Sequence, residues 1–172
     1  HATYIKLIEE GNDSHHISKL NLYQQADSTV ECHSFAFNGG LVRSDIASDL
    51  LGSGAHVAMN GLYLTSKNQQ VSHYTKVNHL KPHATSDEFY KGILGGKSKA
   101  TFNGTVFVAK DAQKTNAAQQ NKNLLLSPKA QINTKPQLEI FADDVKCAHG
   151  ATVGQLEDQA MFYLQSRGIA KE

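Results

Sequence analysis

Cys147 and His149 stand two residues apart in a stretch that reads as a strand near the end of the chain. Residues at that spacing on a strand project to the same face, which sets a thiolate and an imidazole side by side. These are the soft and borderline donors that iron–sulfur clusters and zinc accept. The same pair admits a nucleophilic reading, in which the histidine lowers the thiol pKa and activates the sulfur. It also admits a packing reading, in which both side chains only fill space at a strand end. Spacing leaves the three open.

Other chemistry-bearing residues are easier to dismiss. Gly96-Lys97-Ser98 resembles the end of a phosphate-binding loop, but that loop needs a glycine at position 91, where the chain has Lys. A strand-like run follows it, not the helix whose N-terminus would hold phosphate. His73, His79 and His83 could suggest zinc, yet Pro82 argues against the helix that would align His79 with His83, so loop or surface histidines are expected. The adjacent pairs His15-His16, Cys32-His33 and Asp143-Asp144 would point to opposite faces of a strand. Cys32 reads as a small buried residue. No Ser-His-Asp arrangement or carboxylate pair is legible from spacing, because such partners meet only in three dimensions.

The elements that must position these residues are strands. β-Branched and aromatic stretches recur at Thr3–Ile8, Ile17–Tyr23, Thr29–Phe37, His56–Leu64, Gln70–Val77, Ala100–Val108 and Gln131–Ile140. Turn-formers separate them, among them Gly11-Asn12-Asp13, Asn38-Gly39-Gly40, Gly52-Ser53-Gly54 and Ser127-Pro128. Ile17, Leu20 and Leu22, then Val30, Cys32, Ser34 and Ala36, mark buried faces. Such a chain is all-β, and a sandwich, barrel or β-solenoid would each fit. Asn103-Gly104 is the one dipeptide that resembles a tight hairpin turn, and the scarcity of such signals leans toward the solenoid. One helix is predicted, about Glu157 to Arg167, with acidic residues at its N-terminal end and Gly168 at C′. Its apolar face would be Ala160, Met161 and Leu164 with Leu156 or Glu157.

Composition narrows the function classes. The 172 residues fall within the usual size of one domain. Seventeen basic against sixteen acidic residues leave a net charge of +1, which gives no footprint for nucleic acid or anionic membrane. Two cysteines 115 positions apart make neither a disulfide framework nor a CxxC knuckle, so a reducing compartment is expected. The chain opens at His1 inside a strand-like run and stops soon after Gly168, so a piece of a longer protein is expected.

The run Lys114-Thr115-Asn116-Ala117, Asn123-Leu124-Leu125-Leu126, and Thr134 through Gly154 with its Cys147-Ala148-His149-Gly150, resembles the C-terminal core of the SufB/SufD family. Phe162-Tyr163-Leu164-Gln165-Ser166-Arg167-Gly168-Ile169 continues the likeness, and Phe89-Tyr90-Lys91-Gly92-Ile93-Leu94 with Phe102-Asn103-Gly104 extends it upstream. It is clear from about residue 83 onward and looser over residues 1–82. Within the family, glycine at position 150 is similar to the SufD branch, since SufB tends to carry glutamate there.

The resemblance implies a right-handed parallel β-helix over residues 1–156, with residues 157–172 opening a C-terminal helical region. It further implies a non-catalytic scaffold subunit, paired with a SufB-type subunit and working with a SufC-type ATPase that docks on the missing C-terminal region. Such complexes assemble iron–sulfur clusters for transfer to recipient proteins in the cytoplasm, or in the plastid stroma for a plant parent. By the same likeness Cys147 and His149 match the family's pair that holds the nascent cluster, shared with a partner chain, with His149 ranked first. The isolated fragment is expected to hold no cluster and could pair with itself through its terminal strands. Two other classes stay in view: a β-helix enzyme acting on a carbohydrate or acyl substrate, and a purely structural partner protein.

Overall fold

The computed structural model describes residues 1–155 and 158–169. Eleven strands precede one helix: β1 (Ala2–Ile8), β2 (His15–Gln24), β3 (Thr29–Ala36), β4 (Leu41–Leu50), β5 (His56–Thr65), β6 (Gln70–His79), β7 (Thr85–Leu94), β8 (Lys99–Val108), β9 (Asn116–Leu125), β10 (Gln131–Ile140), β11 (Lys146–Gln155) and α1 (Asp158–Ser166). Odd strands form one parallel sheet in the order β1-β3-β5-β7-β9-β11, and even strands form the other, β2-β4-β6-β8-β10. The chain therefore alternates between two facing sheets and climbs one step per circuit. This is the expected β-helix, flattened to two sides.

Register shows how long a circuit is. His15 lies beside Leu41, 26 residues on, and Lys99 beside Gln131, 32 residues on. Between those strands the corners repeat in conformation: Asp27, Gly54, His83 and Lys114 take positive φ on successive coils at one corner, and Lys67 and Gly96 at the other. The corners are also hydrogen-bonded to one another, as from the Asp27 amide to the Ser53 carbonyl at 2.9 Å and from the His83 amide to the Gln113 carbonyl at 2.9 Å.

Inside, alternate residues of each strand stack into rows. Val42, Ile46, Leu50, Val57, Met59 and Leu94 form much of the apolar interior. An aromatic stack crosses it from Tyr63 to His73, Tyr90 and Phe102, with ring centroids 5.2, 5.2 and 5.0 Å apart, each pair adding about 0.5–1.5 kcal/mol beyond its buried area. Room for the two tyrosines comes from glycine: Gly61 lies beside Tyr90 and Gly92 beside Tyr63 in register. A Cβ on either glycine would stand 2.2 Å from the facing ring.

Several expectations need correction. β4, β7 and β9 were not among the predicted strands, because their inward positions include Ser44, Ser48, Glu88, Gln119, Asn121 and Asn123, all buried. Hydrogen bonds, not side-chain hydrophobicity, hold several of these positions, as Ser48 donates to Gln24 and Gln119 to Glu88. Asn103-Gly104 is no turn but the middle of β8, where a Cβ on Gly104 would meet Gln119 Nε2 at 2.4 Å. Ile17 points outward from β2 and is 73% exposed. His73 and His79 are buried on the inner face of β6, and only His83 is a turn residue.

The predicted helix is present over Asp158–Ser166, closed by Gly168 at φ 85°. Met161 is half-buried, whereas Phe162, Tyr163 and Leu164 are exposed. Leu156 and Glu157, and with them the expected division between 1–156 and 157–172, lie outside the described residues.

Candidate functional site

β11 is the last strand of its sheet and bonds to β9 alone. Among the described residues no strand of the opposite sheet follows β10, and most of β11 is exposed on both faces. Cys147 lies beside Ala117 and His149 beside Gln119. Ala117 and Gln119 face the interior, so strand alternation turns the Cys147 and His149 side chains to that same inner side, as their spacing predicts.

The two environments differ. Cys147 is half-buried against the small apolar cluster of Val106, Val108, Ala112, Ala117 and Ala142. Burial pushes its thiol pKa up, against a smaller opposing hydrogen bond from the Ala117 backbone. A sulfur held as thiol is the reverse of an activated nucleophile. His149 is exposed on that inner side, while the outward register pairs Ala118–Ala148, Gln120–Gly150 and Lys122–Thr152 line a cleft of about 270 Å³ on the opposite face of the same two strands. Among the described residues no group of three or more His, Cys, Asp or Glu is placed to hold a metal ion. Cys147 and His149 thus offer two donors on an open surface.

On the inner side, next to His149, runs a buried polar chain that spacing did not reveal. Gln119 Nε2 donates to Glu88 Oε1 at 3.1 Å, and Thr75 Oγ1 donates to Glu88 Oε2 at 2.6 Å. Burial raises the Glu88 carboxyl to about 7 despite both hydrogen bonds. Alongside, the Tyr63 hydroxyl donates to Asn123 Oδ1 at 2.5 Å and accepts from Asn121 Nδ2 at 3.2 Å. Asn123 Nδ2 donates in turn to Asn121 Oδ1 at 2.6 Å. The period-two series Gln119, Asn121, Asn123 was the available signal, and only register with β7 adds Glu88 to it.

The remaining candidates fall elsewhere. Cys32 is buried in β3, its thiol pushed up to about 11 by burial, four strands away from His149 in the same sheet. Gly96-Lys97-Ser98 forms a corner leading into β8, where the Ser98 hydroxyl donates to the Gly95 carbonyl at 2.8 Å; it cradles no phosphate. His16 pairs with Glu10 at 2.7 Å. Asp144 pairs with Lys114 at the corner before β11. Glu88 is the one buried carboxylate among the described residues, so no groove of acids suggests a carbohydrate enzyme. No helix of the described residues is long and apolar enough to cross a membrane.

Comparison with known proteins returns one family. The family model described as "SUF system FeS cluster assembly, SufBD core domain" matches residues 1–172. The iron–sulfur cluster assembly protein SufD of Escherichia coli is 41% identical over 172 residues, which is the whole of this chain and 41% of that protein. A SufBD family iron–sulfur cluster assembly protein of Synechocystis is 35% identical over 168 residues, 98% of this chain and 37% of that protein. A protein of Arabidopsis thaliana described as chloroplastic is 36% identical over 167 residues, 96% of this chain and 35% of that protein. The chain thus spans about two fifths of the length of these curated relatives.

Proposed function

The chain belongs to the SufBD core family, and from that premise we propose that it is the β-helical core of a SufD-type scaffold subunit in iron–sulfur cluster assembly. In this reading the subunit performs no catalysis of its own. It holds a nascent cluster through Cys147 and His149 together with donors from a SufB-type partner, and a separate SufC-type ATPase acts through segments beyond this core. The finished cluster is cargo, passed to recipient proteins. The compartment would be the bacterial cytoplasm or the plastid stroma.

The observation that carries the reading is that β11 turns a thiol and an imidazole, Cys147 and His149, to the same inner side. Two donors are fewer than an iron–sulfur cluster needs, and in this reading a second chain supplies the rest. Burial raises the Cys147 thiol pKa and so works against thiolate ligation, which leaves His149 the readier ligand of the two. His149 is exposed, so its ring is open to a metal held between this chain and another.

Anaerobic reconstitution of the full-length protein with SufB-type and SufC-type partners tests it. Visible absorption of an assembled cluster is expected to fall severalfold in His149→Ala. Wild-type cluster yield in that variant would remove His149 from the site. A second reading is that this core pairs with a copy of itself through its terminal strands, and sedimentation showing only monomer at high concentration would dispose of it.

A further inference from the structure

We propose that Gln119 is a positioning residue for His149, accepting one ring N–H through its side-chain carbonyl and leaving the other ring nitrogen free for iron. This rests on the reading of His149 as a ligand.

The geometry supplies each part. Gln119 is the register neighbour of His149 on the adjacent strand, and strand alternation turns both side chains to the inner side. The Gln119 side chain is fully buried, and its amide nitrogen is committed to Glu88 Oε1. Glu88 is itself held on its other oxygen by Thr75. Above pH 7, where Glu88 is ionised, its carboxylate only accepts hydrogen bonds, so the amide presents nitrogen to it and turns its carbonyl the other way. That carbonyl oxygen, Gln119 Oε1, is buried without a partner among the described residues. The next inward residue of β9 cannot substitute for it, because Asn121 Oδ1 already accepts from Asn123. A buried acceptor left open is costly and calls for a donor.

His149 brings the complementary lack. Its ring makes no hydrogen bond among the described residues. A histidine that binds metal through one nitrogen nearly always donates from the other to a carbonyl or carboxylate, which sets tautomer and ring orientation. Rotation of the His149 side chain toward Gln119 Oε1 would meet both needs at once. Thr75, Glu88 and Gln119 then form a relay of hydrogen bonds that carries the rigidity of the coil interior to a ligand on its exposed rim.

The test uses the full-length protein assembled with its SufB-type and SufC-type partners, titrated anaerobically with Co²⁺ as the probe and followed by its visible d–d bands. Gln119→Leu, close in size but without an acceptor, is expected to weaken Co²⁺ binding about ten- to a hundredfold. The swap Glu88→Gln with Gln119→Glu keeps the mutual hydrogen bond and restores an acceptor facing His149. It is expected to recover affinity to within about threefold of wild type or better, which loss of packing alone would not explain. If Gln119→Leu does not fold, Gln119→Met is read in its place by the same criteria. Wild-type binding in the acceptor-free variant, or a swap as weak as that variant, would overturn the inference. His149→Ala run in parallel separates the two levels. Loss of Co²⁺ there with retention in Gln119→Leu removes only the positioning role, whereas retention in His149→Ala removes the ligand reading and this inference with it.

Discussion

Replacing Glu88 by Gln alters little of the shape of the coil interior and deletes one titration. The folded carboxyl titrates at about 7 against an ordinary value of 4.5, because it is fully buried and its two hydrogen bonds only partly offset that burial. At about 1.4 kcal/mol per pH unit, the gap amounts to about 3 kcal/mol. Its sign follows from proton counting. Between pH 4.5 and 7 the folded chain keeps a proton that the unfolded chain releases, so stability from this group is fully present below 4.5 and is lost as pH rises through 7.

His73 and His79 act the opposite way. Burial pushes both down to about 4 from 6.5, so their contribution is intact above 6.5 and falls as the solution is acidified toward 4. Wild type and Glu88→Gln share those histidines, and the difference between the two proteins isolates the carboxyl. Urea melts of this chain from pH 4.5 to 8 are expected to show the variant gaining on wild type, by nothing near pH 4.5 and by about 3 kcal/mol above pH 7. A stability difference that stays flat with pH would refute the assignment of a buried, proton-retaining carboxyl inside the coil.

Two further outcomes are expected. Gly61→Ala should cost about 1–3 kcal/mol by driving a methyl into the Tyr90 ring, whereas Gly150→Ala, with open space around it, should stay within about 0.5 kcal/mol of wild type; thermal melts of both variants check the contrast. Mass-spectrometric alkylation at pH 8 should modify Cys147 more slowly than a free thiol and leave Cys32 intact until unfolding, because burial raises both thiols. Faster-than-free alkylation of Cys147 would revive its reading as an activated nucleophile.

Strand spacing and scarce hairpin signals were enough to lean toward a solenoid, and the family likeness supplied the rest of the architecture. Strands whose inner rows are apolar, such as β3 and β5, were legible because alternation reports burial directly. β4, β7 and β9 were not. Their inner residues are buried by pairing with residues about 30 positions away, as Met59 lies beside Glu88 and Glu88 beside Gln119, and no local window contains such partners. The same limit governs the site. Cys147 and His149 could be placed on one face because they are two apart, whereas Gln119 enters only once β9 is known to lie beside β11.

The stacked register has an energetic consequence for the buried polar chain. A strand with a neighbour on each side opens only by breaking two interfaces, and Glu88 and Gln119 stand on such strands, β7 between β5 and β9 and β9 between β7 and β11. In a one-dimensional array of this kind, local opening costs both nearest-neighbour contacts. The amides flanking Glu88 and Gln119 should therefore exchange slowly, and the support beside His149 is held at the stability of the coil rather than of one strand.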